Sequence, residues 1–179
     1  MPWIRAFSTA SNNPNTLILS MIKTPERDDN FHLLNKLSNL SRIFISLTSK
    51  PENYLDNMQQ AKQKLIAIVL GSAGYKELTS HGFSEQENLY VVADTQLMVN
   101  LLENGRVDLE YDNSVNVQNI LNERASSDVA INYKEIAPEN ALINYVAINK
   151  ATDITIVNRL QQAARKFEKT AEYARLLIK

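Results

Sequence analysis

The sequence contains no cysteine among its 179 residues, so disulfides, a thiolate nucleophile and cysteine-ligated metal sites are excluded. No apolar run approaches the roughly 18 residues that a membrane-spanning helix needs. The formal net charge is only -1, which gives no general attraction to nucleic acid or to an anionic membrane. The apolar fraction of 44% and the charged fraction of 22% indicate an ordinary folded protein.

The common catalytic motifs are also missing. His32 and His81 are the two histidines, and neither belongs to an H-E-x-x-H pattern. The segment GSAGYKE does not match the phosphate-binding loop G-x-x-x-x-G-K-[ST], and neither a G-x-G-x-x-G nor a G-x-S-x-G motif occurs. The sequence therefore predicts a protein that is not an enzyme and that needs no cofactor or metal.

The opening segment MPWIRAFSTASNN lacks the apolar centre of a secretory leader. We therefore expect either a cytoplasmic protein or a leader that lies outside this sequence. The segment itself places apolar residues at helical spacing behind a proline, which predicts a short helix over residues 2–11.

Strand and helix patterns alternate along the rest of the chain. The patterns predict strands at residues 16–22, 43–47, 65–70, 89–93, 107–111, 129–131 and 143–148. They predict helices at residues 55–62, 75–81, 95–103, 115–123, 153–167 and 171–178. This alternation favours an α/β fold with a mostly parallel sheet.

Four segments in this order resemble the solute-binding proteins that supply amino acids to ABC importers (bacterial extracellular solute-binding family 3). They are PWIRAF with SMIKTPERDDNF, then KLIAIVLGSAGYKEL, then LLENGRVDLEYDNS, and last INKATDITIVNRLQQAARKFEKTAEYARLL. The resemblance implies a two-lobed, type 2 periplasmic-binding-protein-like fold with a ligand in the cleft. It also implies an ABC permease as partner and a periplasmic location.

The resemblance assigns residues 1–48 and 145–179 to a first lobe and residues 49–144 to a second lobe. Connecting strands near residues 43–49 and 143–148 are expected to form the hinge. In this family a leader and a β-α-β segment precede the PWIRAF helix, so the first lobe is expected to be incomplete and the chain N-terminally truncated. An uncovered sheet edge and an open apolar face predict self-association, as a homodimer or by exchange of elements between chains.

In the family, the arginine of the T-x-x-R turn grips the ligand's α-carboxylate, which assigns this role to Arg27. A guanidinium suits it because its planar fork donates two parallel hydrogen bonds to a carboxylate. Thr24 and Ser20 would add hydroxyl or backbone contacts. The alternative is a solvent-exposed Arg27 whose charge is balanced by the neighbouring Glu26, Asp28 and Asp29.

The second predicted contact is Ser72, in a glycine-flanked turn ahead of a helix, where backbone N–H groups favour an anion. Its alternative role is that of an N-cap. The third is Asn113, at a position where the family usually has an acidic residue for the ligand's ammonium group. Asp112 is one residue earlier and faces the opposite side of a strand. The ligand is therefore left open between an amino acid and another carboxylate.

Three hypotheses of different classes follow. The first is binding of a small anionic or zwitterionic solute. The second is a truncated module that has lost solute binding and serves in oligomerisation or protein interaction. The third is an enzyme on the same scaffold, for which no general base can be identified. Asp108 and Trp3 are interpreted as a structural turn residue and a packing anchor, and Tyr111 and Tyr145 as core residues.

Overall fold

The computed structural model describes residues 1–123, 130–136 and 142–177. Its strands are β1 (Leu17–Ile22), β2 (Phe31–Leu40), β3 (Arg42–Leu47), β4 (Ile66–Val69), β5 (Leu89–Val92), β6 (Leu109–Asn113), β7 (Ile131–Ile136) and β8 (Leu142–Asn149). Its helices are α1 (Trp3–Asn12), α2 (Pro25–Asp28), α3 (Met58–Ala61), α4 (Ala73–Ser80), α5 (Thr95–Glu103), α6 (Ser114–Glu123), α7 (Ile154–Phe167) and α8 (Ala171–Leu176). No helix in the described ranges is long and apolar enough to cross a bilayer.

The chain divides into two compact units. Unit 1 contains residues 5–40 and 140–179 together with Met1, and unit 2 contains residues 2–4 and 41–139. The chain passes between the units after β2 and again between β7 and β8, whereas the resemblance assigned the lobe boundaries to 48/49 and 144/145. The reason is strand pairing, because β3 pairs with β6 and β7 while β8 pairs with β1 and β2.

Unit 1 is built on an antiparallel sheet with the order β1-β8-β2. The unit 1 part of α1 is fastened to this sheet by Asn149, whose Nδ2 donates to the carbonyl oxygens of Ala10 at 2.7 Å and Ser11 at 2.8 Å. The rings of Phe7 and Phe31 pack with their centres 5.7 Å apart. Helix α1 thus binds its strands through both polar and aromatic contacts.

Helices α7 and α8 attach to β2 in the same unit. The amide of Asn35 donates to the carbonyl oxygen of Ala164 at 3.1 Å, and the hydroxyl of Tyr173 donates to the carbonyl oxygen of Lys36 at 2.6 Å. Asp153 caps α7 by accepting from Thr155 N at 2.8 Å. These contacts tie the C-terminal helices to the outer strand β2.

Unit 2 contains a mixed sheet with the order β5-β4-β6-β3-β7. Strands β5, β4 and β6 are parallel, and β3 is antiparallel to both of its neighbours. Alternating residues build a core on each face, so Ile43 and Ile45 join one apolar cluster and Phe44 joins the other. The expectation of a mostly parallel sheet is wrong, because β1, β2, β3, β7 and β8 all pair antiparallel.

The sequence pattern missed β2 altogether. Its register against β8 shifts twice, between Leu33 and Lys36 and between Lys36 and Ser38. Each shift moves the following side chains to the other face, so no apolar alternation survives in the sequence. The helix predicted at residues 55–62 is reduced to the four residues of α3, and residues 129 and 178 of two other predicted elements lie outside the described residues.

Candidate functional site

The T-x-x-R turn follows β1 directly in unit 1. Thr24 is extended, with φ −139° and ψ 155°, and Pro25 starts α2 after it. The backbone N–H groups of Arg27 and Asp28 donate to the carbonyl oxygen of Thr24 at 3.0 and 3.1 Å. The turn therefore places Thr24 and Arg27 at the two ends of one tight helical turn.

Arg27 is buried, with 3% of its surface exposed. Its Nη1 donates to the carbonyl oxygen of Ile22 at 2.9 Å, and its guanidinium carbon lies 5.0 Å from the centre of the Phe7 ring. The alternative of a solvated arginine is therefore wrong. The neighbouring Asp28 forms its ion pair with Lys23 at 3.4 Å.

Two other predicted site residues are Thr24, in this turn, and Ser20, four residues before it. The hydroxyl of Thr24 is buried and has no hydrogen-bond partner within the described structure. Ser20 is exposed on β1 and has a left-handed φ of 59°, at the point where the register against β8 shifts between Ile18 and Met21. A bulge of this kind re-aims the side chains around it.

Ser72 lies in unit 2 as the N-cap of α4. Its Oγ accepts a hydrogen bond from Tyr75 N at 3.0 Å, and its own N–H donates to Val69 O at 3.2 Å. The capping role is therefore confirmed, whereas the ligand contact stays a prediction. An N-cap hydroxyl oxygen keeps its own proton to donate, so the two roles are chemically compatible.

The turn before Ser72 is fixed by the first residues of the chain, which belong to the same unit. Gly71 has φ +67°, and a Cβ built on it would lie 2.5 Å from the Cδ1 atom of Ile4. Trp3 Nε1 donates to the carbonyl oxygen of Gly71 at 3.2 Å and the ring packs on the apolar core. The interpretation of Trp3 as a packing anchor is confirmed.

Asn113 ends β6 and caps α6. Its Oδ1 accepts from the backbone N–H groups of Val115 and Asn116, each at 3.1 Å, and its Nδ2 donates to Asp112 Oδ1 at 2.9 Å. The amide group is thus engaged inside unit 2 at both ends. Its predicted contact with a ligand stays a prediction.

The sequence patterns did not single out Glu110, whose environment is unusual. Its side chain is 1% exposed, and its Oε2 has no hydrogen-bond partner in the described structure. Burial, with the charge of Asp112 as the smaller cause, raises the pKa of Glu110 to about 8. The one available signal was its position on β6 between two core residues, Leu109 and Tyr111.

Asp112 lies two residues after Glu110 on β6 and is half-buried. Burial raises its pKa to about 6, although hydrogen bonds from Asn116 and Asn113 and the charge of Arg42 act in the opposite direction. Asn116 Nδ2 donates to both carboxylate oxygens, at 2.9 and 3.0 Å. Two carboxyl groups of raised pKa therefore follow each other on one strand of unit 2.

A second cluster of polar side chains in unit 2 connects Arg42 on β3 and Tyr111 on β6 to Glu77 on α4. Arg42 Nε donates to Glu77 Oε2 at 2.6 Å, and the hydroxyl of Tyr111 donates to Glu77 Oε1 at 2.9 Å. Burial, together with the charge of Glu77, raises the pKa of Tyr111 above its ordinary value. Arg42 and Tyr111 are both buried, so Glu77 neutralises a cation and holds a hydroxyl at once.

Asp108 is structural, as the sequence indicated. Its Oδ2 accepts from Leu65 N at 2.9 Å and its Oδ1 from Asn53 Nδ2 at 3.4 Å, which ties the turn before β6 to the start of β4. No group of three or more acidic or histidine side chains that could hold a metal ion occurs among the described residues.

Neither a protein-family model nor a curated protein matches the sequence. Solved structures do match. A mutant of ArgBP from T. maritima matches 98% of this chain and 73% of its own, with a TM-score of 0.82 and 13% identity. An amino acid ABC transporter substrate-binding protein from Streptococcus pneumoniae, bound to L-arginine, matches 98% and 72%, with a TM-score of 0.80 and 16% identity.

A third match comes from a different class of protein. A histidine kinase sensor domain with similarity to periplasmic binding proteins matches 98% of this chain and 73% of its own. The TM-score is 0.79 and the identity 15%. The chain therefore has the α/β fold of the periplasmic-binding-protein-like structures, including amino-acid substrate-binding proteins, as the resemblance of its sequence implied.

Proposed function

We propose that the chain binds a small solute that carries a carboxylate, either an amino acid or a related acid, and that it serves ABC-type import. One observation carries this proposal. Almost the whole chain, 98%, matches the fold of a transporter substrate-binding protein that holds L-arginine. The proposal includes the ABC permease as partner and the periplasm as location, in line with the resemblance of the sequence.

The proposed anchor for the carboxylate is Arg27, with Thr24 and Ser20 as neighbours. A guanidinium carries five N–H donors in a rigid plane. The hydrogen bond to Ile22 and the contact with the Phe7 ring fix that plane before a ligand arrives. A group held in this way loses little conformational freedom on binding, which favours affinity.

The proposed contributions of unit 2 are the hydroxyl of Ser72 and the amide of Asn113. The proposed donor from Ser72 stands at the N-terminus of α4, where the helix dipole favours an anion. Asn113 carries no charge, and its Oδ1 already caps α6. Binding therefore depends on the carboxylate of the ligand more than on an ammonium group.

Isothermal calorimetry with a panel of ligands tests the proposal. The panel contains L-arginine, other amino acids, and carboxylic acids that lack an ammonium group. A ligand at 100 times its dissociation constant should raise the free energy of unfolding by about 2.7 kcal/mol. Thermal unfolding with and without the ligand measures this increase in stability.

The decisive variant is Arg27→Lys, which keeps the positive charge but loses the bidentate fork. We expect its dissociation constant to rise by about tenfold or more. Asn35→Ala is the matched control, because it removes hydrogen bonds between β2 and α7 in the same unit and contacts no residue of the proposed site. No response to any member of the panel, or a response that Arg27→Lys leaves unchanged, would sink the proposal.

The match to a sensor domain favours a second candidate function, which is reception of the same solute without transport. Uptake of the labelled solute separates the two. Cells that lack the gene should lose uptake if the chain serves import, and should keep it if the chain is a receptor. A stable oligomer that responds to no ligand would instead favour the module that has lost solute binding.

A further inference from the structure

Strand β1 forms an outer edge of the unit 1 sheet and pairs, among the described strands, with β8 alone. Leu17 and Leu19 point outward from it and are 48% and 66% exposed. Ile18 and Met21 are buried on the other side. The strand therefore presents apolar side chains to solvent beside an edge that can accept a further strand.

The other described edge strands are protected in ways that β1 is not. Strand β2 carries His32 and Lys36, and the hydroxyl of Tyr173 already takes the carbonyl oxygen of Lys36. Strand β7 carries Lys134 and Glu135, and β5 has four residues. Charged side chains and short length are the usual protection against pairing at an edge. Strand β1, with the sequence LILSMI, has six residues and no ionisable side chain.

We propose that β1 pairs with β1 of a second copy of this chain, antiparallel and across a two-fold axis. The identical segments carry no charge, so their pairing brings no like charges together. A two-fold axis places the same patch on both sides, and the outward leucines of one copy meet those of the other. Strand β1 is already antiparallel to β8, so the added strand continues the existing pattern into a six-stranded sheet.

The bulge in β1 limits regular pairing between the two copies of β1 to one part of the strand. Ser20 has a left-handed φ of 59°, and the register shifts between Ile18 and Met21. A bulge interrupts the regular ladder of hydrogen bonds. Regular pairing is therefore concentrated around Leu17 and Leu19, and these two side chains are the ones to change.

Multi-angle light scattering over about 1 to 200 µM protein measures the association. We expect a dimer whose dissociation constant rises about tenfold or more in Leu19→Lys and in Leu17→Lys, because each change enters the symmetric interface twice. Leu176→Lys is the matched control, since Leu176 lies in α8 with 64% of its surface exposed. We expect this control to leave the dissociation constant unchanged.

The absence of cysteine allows a second measurement that does not depend on affinity. Leu17→Cys and Leu19→Cys each introduce a single thiol, and mild oxidation should link two chains through at least one of them. Leu176→Cys should give far less of the linked species. A chain that stays monomeric over the whole concentration range would overturn the proposal. A dimer that neither lysine variant at β1 weakens, or one that links equally through Leu176→Cys, would also overturn it.

Discussion

The Nη1 atom of Arg27 donates a 2.9 Å hydrogen bond to the carbonyl oxygen of Ile22, five residues earlier in the chain. The guanidinium thus links the end of β1 to α2 and packs over the ring of Phe7 on α1. The residue proposed to hold the ligand is therefore also part of the core of unit 1. Its substitution must affect stability as well as binding.

We expect Arg27→Ala to lower the free energy of unfolding by about 2 kcal/mol, because it removes a charge-assisted hydrogen bond and an aromatic contact from a buried position. Arg27→Lys should lose less, since the lysine stem still fills the space. Urea unfolding measures both. Lys23→Ala, an exposed cation in the same turn, serves as the control and should change stability by less than about 0.5 kcal/mol. Equal losses in the three variants would contradict the buried contact.

Ser72 allows capping and ligand binding to be measured separately. Ser72→Ala should lower the free energy of unfolding by about 1 kcal/mol, because Tyr75 N loses its acceptor. Ser72→Asp keeps an acceptor at the N-cap and should leave stability nearly unchanged. It places a negative charge where a carboxylate ligand is proposed to bind, so the ligand's dissociation constant should rise strongly. Unfolding and calorimetry on the same samples check both expectations, and unchanged ligand affinity in Ser72→Asp would remove Ser72 from the site.

Much of unit 2 could be predicted because its signals are local. The near-continuous apolar run of β4, the glycine turn and the capping serine of α4 follow one another within a short stretch of sequence. The glycines at 82 and 105 end α4 and α5 with positive φ, as expected after a helix. Such elements are determined by nearest neighbours, so a single sequence reveals them.

The environment of Arg27 could not be predicted, because its partner ring belongs to Phe7 on a different element. The resemblance implied a carboxylate-binding arginine in the T-x-x-R turn, but it did not indicate that the side chain is buried. Glu110 was missed for a related reason. Glu110 pairs with Ile45 and Ala67 of one core cluster, and its neighbours Leu109 and Tyr111 belong to the other. Both faces of β6 are therefore covered at Glu110, and a sequence does not show which strands are covered on both faces.

Glu110 should make the stability of the chain depend on pH. Its pKa is about 8 in the folded chain and near 4.5 in a solvated glutamate, so the folded state holds a proton that the unfolded state has released between these values. The free energy of unfolding therefore falls as pH rises from about 4.5 to about 8, and the stabilisation is fully present only below this window. Asp112, with a pKa raised to about 6, acts in the same direction.

Glu110→Gln keeps the shape of the side chain and removes its charge. We expect this variant to be more stable than the parent by at least about 2 kcal/mol at pH 8.5, and to differ little at about pH 4, below the window in which the two states bind different numbers of protons. Denaturant unfolding at the two pH values makes the comparison. Glu87→Gln is the control at an exposed position and should follow the parent at both. If Glu110→Gln retains the full pH dependence of the parent, the carboxyl group is not the source of it.

Arg42 and Glu77 provide the strongest test of the described core. Arg42 is 3% exposed, so removal of its partner leaves a charge that is buried without compensation. We expect Glu77→Ala to lower the free energy of unfolding by about 3 to 5 kcal/mol. We expect Tyr111→Phe, which removes only the hydrogen bond of the hydroxyl, to lower it by about 1 kcal/mol.

The double variant Arg42→Met with Glu77→Leu should recover most of the stability that Glu77→Ala loses, because two apolar side chains of similar size leave no unpaired charge. A double-mutant cycle by urea unfolding measures the coupling. A double variant as unstable as Glu77→Ala would mean that packing around Glu77, and not its charge, holds β3 and β6 to α4.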